Sequence, residues 1–184
     1  MIDDKKLIKK CLKKDTGALE ELYKQFSPKL YGICLRYTKN KMEAEDLLHD
    51  GFIRILDNLE TYRGDGSFEG WLCRIMVTTA INYYRKKGTR YEDVEINNIG
   101  QEDVIENDIT SMMSHNEMLD VIQQLPEGYR VVFNMYAIEG YSHKEISEML
   151  NISENTSKTQ LLKARRTLQK KIFTDKQIKY EKSA

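Results

Sequence analysis

Apolar residues recur at spacings of three and four along residues 1–88, the period of helices that bury one face. Ser27-Pro28 predicts a restart or a kink within the second helix, because proline is tolerated in a first turn. Ser67 predicts the N-cap of the last helix, since its hydroxyl can accept from a free backbone N–H. The apolar stripes are Leu7–Leu12, Leu19–Phe26, Leu30–Tyr37, Leu48–Leu59 and Phe68–Thr79.

Residues 113–184 show a second set of helical signals. Two Ser-x-x-Glu patterns, at Ser114–Glu117 and Ser142–Glu145, predict helix starts of the capping-box type. Pro126 predicts the start of another helix and Gly140 predicts its end. Asn151–Ser153 predicts a tight turn. A last helix is predicted from a stripe at Leu161, Ala164, Leu168 and Ile172.

Between these halves, Gly88–Thr110 is acidic, rich in Asn and without a sustained helical stripe. An unstructured stretch of this length is abnormal inside one compact domain, so it predicts a flexible linker. We therefore expect an all-α fold of two small helical domains, residues 1–88 and 113–184, joined by an acidic linker at 89–112. The second domain would end in a helix-turn-helix.

Composition supports a folded, helical chain. The 184 residues are 40% hydrophobic and carry 29 basic and 29 acidic side chains. Wholly disordered chains combine low hydrophobicity with high net charge, and no run here reaches the 18 or more apolar residues of a membrane span. Three scattered cysteines fit a reducing compartment better than a disulfide framework. We expect a cytoplasmic protein without membrane insertion.

The charge is unevenly distributed. Residues 1–88 carry 17 basic and 13 acidic side chains, residues 89–117 carry one and eight, and residues 118–184 carry 11 and eight. Two basic blocks therefore flank an acidic one. Basic blocks can neutralise phosphates and release counterions, but runs of charge also merely solvate a surface. Both interpretations stay open on composition alone.

A helix pair with a short turn is predicted at Ser142–Leu150 and from Ser153 onward, which is the helix-turn-helix pattern. If the apolar stripe of the second helix packs on the domain, the opposite face presents cations, a hydroxyl group and an apolar side chain. These residue types suit contacts in the major groove of DNA. A plain helical hairpin is the alternative. The outward residues are Lys158, Thr159, Leu162, Lys163 and Arg166.

The last helix of the first half mixes aromatic and basic residues, a combination that suits single-stranded nucleic acid. The other interpretation is structural: Phe68 and Trp71 lie on the apolar stripe, and cations stabilise a helix C-terminus without any ligand. The residues in question are Phe68, Trp71, Tyr83 and Tyr84 with Arg63, Arg74, Arg85, Lys86 and Lys87.

Catalytic signals are weak. His49, His115 and His143 are too scattered for a metal triad, and no glycine-rich phosphate loop is present. His49 lies near Asp46 and Asp50, so a carboxylate–imidazole site is conceivable, yet a solvated helix face is the simpler interpretation. A metal-dependent hydrolase would need a cluster that the sequence does not assemble. We predict no catalytic residues, metal or cofactor.

Several strings, taken together, resemble bacterial RNA polymerase sigma factors of the extracytoplasmic-function group. They follow the family's order and spacing across nearly the whole chain. In the first half they are Ala44–Phe52 (AEDLLHDGF), Tyr62–Ile75 (YRGDGSFEGWLCRI) and Asn82–Arg85 (NYYR). In the second half they are Leu125–Arg130 (LPEGYR), Gly140–Ile146 (GYSHKEI), Ser153–Thr156 (SENT) and Leu161–Leu168 (LLKARRTL).

The resemblance implies three surfaces. Asp46, His49, Asp50 and Ile53 would dock on core RNA polymerase. The minus-ten promoter element would be recognised and held open, with a flipped base in a loop pocket, by Arg63, Asp65, Ser67, Phe68, Trp71, Arg74, Thr78, Asn82, Tyr83, Arg85 and Lys86. The minus-thirty-five element would be read as duplex, with Lys158, Thr159 and Leu162 facing bases and Lys163 and Arg166 near phosphates.

The sequence departs from the family pattern at a few of these positions. His49 stands where Gln is usual, Thr78 where Asn is frequent, and Ser157 and Gln160 where Val and Arg are common. The resemblance implies a sigma factor that is not an enzyme, with core polymerase and promoter DNA as partners and an anti-sigma factor as a candidate third. The alternative is a helix-turn-helix regulator that acts without replacing the sigma subunit.

Overall fold

The computed structural model describes residues 4–86 and 115–181, with side chains described over 4–86 and 117–172. The chain divides into two compact units, Met1–Tyr84 and Arg85–Ala184. The regular elements of the described residues are all helical, which confirms the predicted all-α class. None of these helices combines the length and apolar character that a membrane crossing requires. The predicted linker and the Ser114 cap lie outside the described residues.

The first unit contains four α-helices and one 3-10 turn. Three of the helices begin at a side-chain cap: Asp15 accepts from Ala18 N at 2.9 Å, Asn40 from Glu43 N at 2.9 Å, and Ser67 from Gly70 N at 3.0 Å. The last of these confirms the predicted Ser67 cap. The elements are α1 (Asp4–Leu12), α2 (Thr16–Tyr37), α3 (Lys41–Asn58), the 3-10 turn (Leu59–Thr61) and α4 (Phe68–Lys86).

Of the restart or kink predicted at Ser27-Pro28, the restart does not occur, because α2 is one helix of 22 residues with Pro28 inside it. Proline removes the hydrogen bond to the carbonyl four residues earlier, here that of Lys24. Both Lys24 and Pro28 are exposed, so water can satisfy that carbonyl, while Phe26 and Leu30 keep the opposite side of the helix in the core.

A close contact between α3 and α4 fixes the centre of the first core. Met76 is fully buried, and a Cβ placed on Gly51 would lie 2.3 Å from its Cε. The sulfur of Met76 also lies 3.4 Å from Cys34 Sγ on α2. Burial raises the pKa of the Cys34 thiol to about 12, so it remains a neutral packing group. Three helices therefore meet at one methionine.

Over its described residues, the second unit contains four α-helices and a π-helical turn. Ser142 forms the predicted capping box with Glu145, and Asn151 ends the following helix in the left-handed region at φ 55°. The core joins Val121, Ile122 and Leu125 to the predicted stripe of the last helix. The elements are α5 (His115–Gln123), α6 (Glu127–Phe133), the π turn (Asn134–Ile138), α7 (His143–Leu150) and α8 (Glu154–Glu181).

A buried arginine organises the start of this unit. Arg130 is 3% exposed, and its Nη1 donates to the carbonyls of Gln123 at 2.9 Å and Leu125 at 3.3 Å. These carbonyls lie at and just beyond the C-terminal end of α5, where a cation is favourable. Asn134, also buried, donates to the Arg130 carbonyl at 2.9 Å and opens the π turn. The sequence did not indicate this polar core.

Candidate nucleic-acid and protein interfaces

Helix α3 carries an exposed stripe with apolar members. Met42, Ile53 and Leu56 are 70%, 58% and 40% exposed, although the other face of the helix is core. Asp46 and His49 lie between them along the chain and are also exposed. The spacing of 4-3-4-3 residues keeps all five within about 80° of the helix circumference, with Asp50 at the edge. Exposed apolar patches of this kind are typical of interaction surfaces.

Helix α4 carries a second exposed stripe that is polar and basic. Its members are exposed or half-buried and recur at three and four residues. They therefore share one face of the helix, opposite the buried residues Leu72, Met76 and Ala80. Lys86 flanks this face, whereas Tyr83 lies about 140° from its centre, on the side of Leu72 and Met76. The stripe consists of Trp71, Arg74, Thr78, Asn82 and Arg85.

The loop before α4 is held in one shape by Tyr62. Its hydroxyl donates to the Gly66 carbonyl at 2.7 Å, and its ring centroid lies 5.1 Å from that of Phe68 and 5.4 Å from that of Trp71. Gly64 and Gly66 have φ values of 83° and 132°, which glycine adopts without strain. Phe68 is 1% exposed and supports the loop from inside. Arg63, Asp65 and Ser67 remain exposed.

A groove of about 420 Å³ separates the end of α3 from α4. Arg54 stands on the α3 wall and Arg74 on the α4 wall, beside the half-buried indole of Trp71. Among the described residues neither guanidinium has an ion-pair partner. Two unpaired cations beside an aromatic ring suit a nucleotide. The remaining lining residues are Asn58, Thr61, Ile75, Thr78 and Thr79.

In the second unit, α8 separates a buried face from an outward face. The buried face comprises the predicted stripe together with Ser157 and Gln160, which are 0% and 7% exposed. The outward residues lie between about 80° and about 180° from the centre of that stripe, with Lys158 nearest to it and Thr159 opposite it. Lys158 is the most exposed of them, and its Nζ lies 4.0 Å from Glu154 one turn earlier. The others, all half-buried, are Thr159, Leu162, Lys163 and Arg166.

One polar contact ties α7 to α8. The Nδ1 of His143 and the Oγ of Ser157 lie 2.9 Å apart. The imidazole stacks on Tyr136 at a centroid distance of 4.5 Å and an angle of 23°, and Arg165 lies 5.9 Å from the same tyrosine ring. Burial, reinforced by the charge of Lys158 and Arg165 and opposed by Glu154, lowers the pKa of His143. The imidazole is therefore neutral near pH 7.

Sequence reasoning missed part of the α3 stripe and part of the groove beside α4. Met42 and Leu56 complete the α3 stripe and could have been found from its 4-3-4-3 spacing. Arg54, Asn58 and Thr61 could not, because only packing brings the end of α3 beside α4. No group of three His, Cys, Asp or Glu side chains in the described ranges is placed to hold a metal ion.

Two family models match the chain, Sigma-70 region 2 over residues 22–90 and Sigma-70 region 4 over residues 115–168. The ECF RNA polymerase sigma factor SigW of Bacillus subtilis is 32% identical over 179 residues, covering 91% of this chain and 96% of that protein. The ECF RNA polymerase sigma-E factor of Haemophilus influenzae is 28% identical, covering 93% and 96%. Among solved structures, the sigma factor RpoE of Bartonella quintana in complex with the anti-sigma factor NepR aligns with a TM-score of 0.48 at 16% identity, covering 84% and 96%.

These matches define a two-domain transcription initiation factor of the sigma class. The chain belongs to the ECF RNA polymerase sigma factors. As a sigma factor it binds core RNA polymerase and promoter DNA and directs promoter-specific initiation of transcription. This confirms the family that the sequence motifs indicated.

Proposed function

We propose that the α3 stripe is the surface that docks on core polymerase. The observation that carries this proposal is the large apolar exposure of Met42, Ile53 and Leu56 on a helix whose opposite face is core. Exposed apolar groups interleaved with Asp46 and His49 suit a partner helix that offers apolar and basic side chains. Asp50 lies at the edge of the stripe, where its carboxylate can meet a cation while staying partly hydrated.

Charge reversal at this stripe tests the docking role. Asp46→Arg with Asp50→Arg should weaken co-purification with core polymerase and abolish promoter-specific transcripts in vitro, because like charges at an interface can cost several kcal/mol. The matched control is Glu21→Arg with Asp120→Arg, which reverses two exposed acids outside α3. Equal core binding by both variants and the wild type would refute the docking assignment.

We propose further that the α4 stripe, the loop before it and the adjoining groove form the minus-ten surface, within a domain spanning residues 1–88. Tyr62 holds the loop, which keeps Arg63, Asp65 and Ser67 available to a base that has left the stack. Phe68 belongs to this surface as the buried support of the loop. From α4 the surface takes Trp71, Arg74, Thr78, Asn82, Tyr83, Arg85 and Lys86, and from the far wall of the groove Arg54 and Asn58.

The outward face of α8 is the proposed minus-thirty-five reader, within a domain spanning residues 113–184. Lys158, Thr159 and Leu162 would meet base edges, while Lys163 and Arg166 would meet phosphates. The ion pair between Lys158 and Glu154 must break before the amine of Lys158 can reach a base. Because this ion pair is exposed, exchanging it for a base contact costs little.

The remaining proposals follow from membership of the family. The protein has no catalytic activity of its own, since the polymerase performs the chemistry, and it acts in the cytoplasm, where the polymerase is. An anti-sigma factor is a candidate partner. Pull-down of the tagged chain from cells, followed by identification of stoichiometric partners besides polymerase subunits, tests that last point.

A further inference from the structure

Helix α1 has a lysine face that lies outside the Sigma-70 region 2 match. The Sigma-70 region 2 model begins at residue 22, well after this helix ends at Leu12. Leu7, Ile8 and Cys11 are buried, at 2%, 8% and 4% exposure. The opposite side of the helix and the turn after it expose Lys5, Lys6, Lys9, Lys10, Lys13 and Lys14.

Four lysines of this face are not neutralised by an acidic side chain within the described part of the domain. No acidic partner of Lys6, Lys9, Lys10 or Lys13 occurs among residues 4–86. On an α-helix, positions 6, 9 and 10 fall within about 100° of arc, away from the buried side. A rigid helix thus holds several ammonium groups together, and their mutual repulsion is relieved only by counterions or by a polyanion.

The turn after α1 adds a second observation. Lys14 occupies the left-handed region at φ 57°, where glycine would be unstrained. Its backbone N–H bonds to the Cys11 carbonyl at 2.9 Å, and that of Asp15 bonds to the Lys10 carbonyl at 3.2 Å, which together close the helix end. A lysine at this position lengthens the basic face at a cost in backbone strain.

The position of α1 in the domain favours DNA as the polyanion. The helix packs against α2 and against the 3-10 turn Leu59–Thr61. That turn leads directly into the loop Tyr62–Ser67 of the proposed minus-ten surface and contributes Thr61 to the groove. Promoter DNA held by that surface would continue as a phosphate backbone close to α1.

We propose that the lysine face of α1 binds the phosphate backbone of promoter duplex next to the minus-ten element, without reading its sequence. This inference rests on the proposed minus-ten surface. Compact ammonium groups on flexible stems suit phosphates as point charges and give little base discrimination. The contact would raise affinity and association rate for all promoters alike.

The experiment compares polymerase holoenzymes made with three forms of the chain. One is the wild type, a second carries Lys6→Gln, Lys9→Gln, Lys10→Gln and Lys13→Gln, and a third carries Lys→Arg at the same four positions. Equilibrium binding to a labelled promoter fragment is measured across a salt series, together with binding of each chain to core polymerase. As a matched single control, Lys24→Gln is compared with Lys10→Gln, because Lys24 already pairs with Glu20 on α2.

We expect the glutamine variant to show a shallower salt dependence, by about 0.9 in log K against log[salt] for each phosphate that the lysines no longer neutralise. The ratio of affinities for promoters with intact and altered minus-ten elements should not change. The arginine variant should match the wild type, and Lys24→Gln should have no effect.

Unchanged salt dependence in the glutamine variant would overturn the proposal. So would loss of core binding, which would assign α1 to the polymerase, or tighter DNA binding, which would indicate that the lysines hold an acidic segment such as residues 89–117. An incorrect assignment of the minus-ten surface would give a different result. In that case Arg54→Ala and Arg74→Ala, in an otherwise wild-type chain, would leave the discrimination between promoters intact.

Discussion

The imidazole of His143, at the first residue of α7, hydrogen-bonds to the hydroxyl of Ser157 in the first turns of α8 at 2.9 Å. This bond joins the two helices of the helix-turn-helix through side chains. Ser157 is fully buried, so its hydroxyl depends on this partner. The orientation of the outward face of α8 therefore depends partly on one histidine.

We predict that the two residues are energetically coupled. His143→Ala should lower the free energy of unfolding of the second domain by ~1–3 kcal/mol, because it leaves a buried hydroxyl unpaired. Ser157→Val removes the hydroxyl and keeps an apolar side chain, and in the Ser157→Val background the histidine change should cost ~1 kcal/mol less. Urea unfolding followed by circular dichroism measures this cycle. Strict additivity would show that the bond contributes nothing.

Mild acid should destabilise the second domain. Burial lowers the pKa of His143 in the folded state, so well above pH ~6.5 the imidazole is neutral in both states. As the pH falls, the unfolded chain takes up a proton first, and stability declines until the pH reaches the lowered folded pKa. Thermal unfolding between pH ~7.5 and ~5.5, a range that brackets the ordinary histidine pKa, should reveal this loss. His143→Gln should reduce it, whereas His49→Gln, which alters an exposed residue, should not.

A substitution at Gly51 should destabilise the first domain. Gly51→Ala places a methyl group where Met76 Cε lies at 2.3 Å, and Met76 is enclosed by core. The overlap should outweigh the helix propensity of alanine, for a net loss of ~1 kcal/mol in the free energy of unfolding.

The control is Gly32→Ala on α2, where nothing lies within 4 Å of the new Cβ and a gain of ~0.5–1 kcal/mol in the free energy of unfolding is expected. Fluorescence of Trp71 during urea unfolding follows this domain alone. A stabilised Gly51→Ala variant would mean that Met76 moves aside freely.

The groove between α3 and α4 should bind single-stranded DNA. Trp71 is the one tryptophan of the 184 residues, so quenching of its fluorescence by a minus-ten oligonucleotide reports occupancy of this site. Arg54→Ala should weaken binding about tenfold, since a charge-assisted hydrogen bond contributes ~1.5 kcal/mol or more. Lys29→Ala, which removes a cation paired with Glu69, is the control. If free mononucleotides quench as tightly as the oligonucleotide, the groove is a site for a small ligand and not for a strand.

Local signals in the sequence determined most of the secondary structure. Ser67 and Ser142 cap helices because a short hydroxyl side chain satisfies backbone groups within three residues, whatever the rest of the fold does. The stripe through Leu161 and Leu168 is buried because an amphipathic helix has only one face to place in a core. The family resemblance likewise rests on the sequence alone, because its motifs are recognised by their order and spacing along the chain.

Tertiary packing decided the features that depend on two distant segments. Pro28 did not interrupt α2, because its flanking apolar residues gain more by staying in one core than the missing hydrogen bond costs at an exposed position. Three other features have no periodic signal in the sequence. They are the burial of Arg130 against the end of α5, the bond between His143 and Ser157, and the position of Arg54 and Arg74 on opposite walls of one groove. A pattern along the chain reports which face of a helix is apolar, whereas the partner of a buried polar group is fixed only when another helix packs beside it.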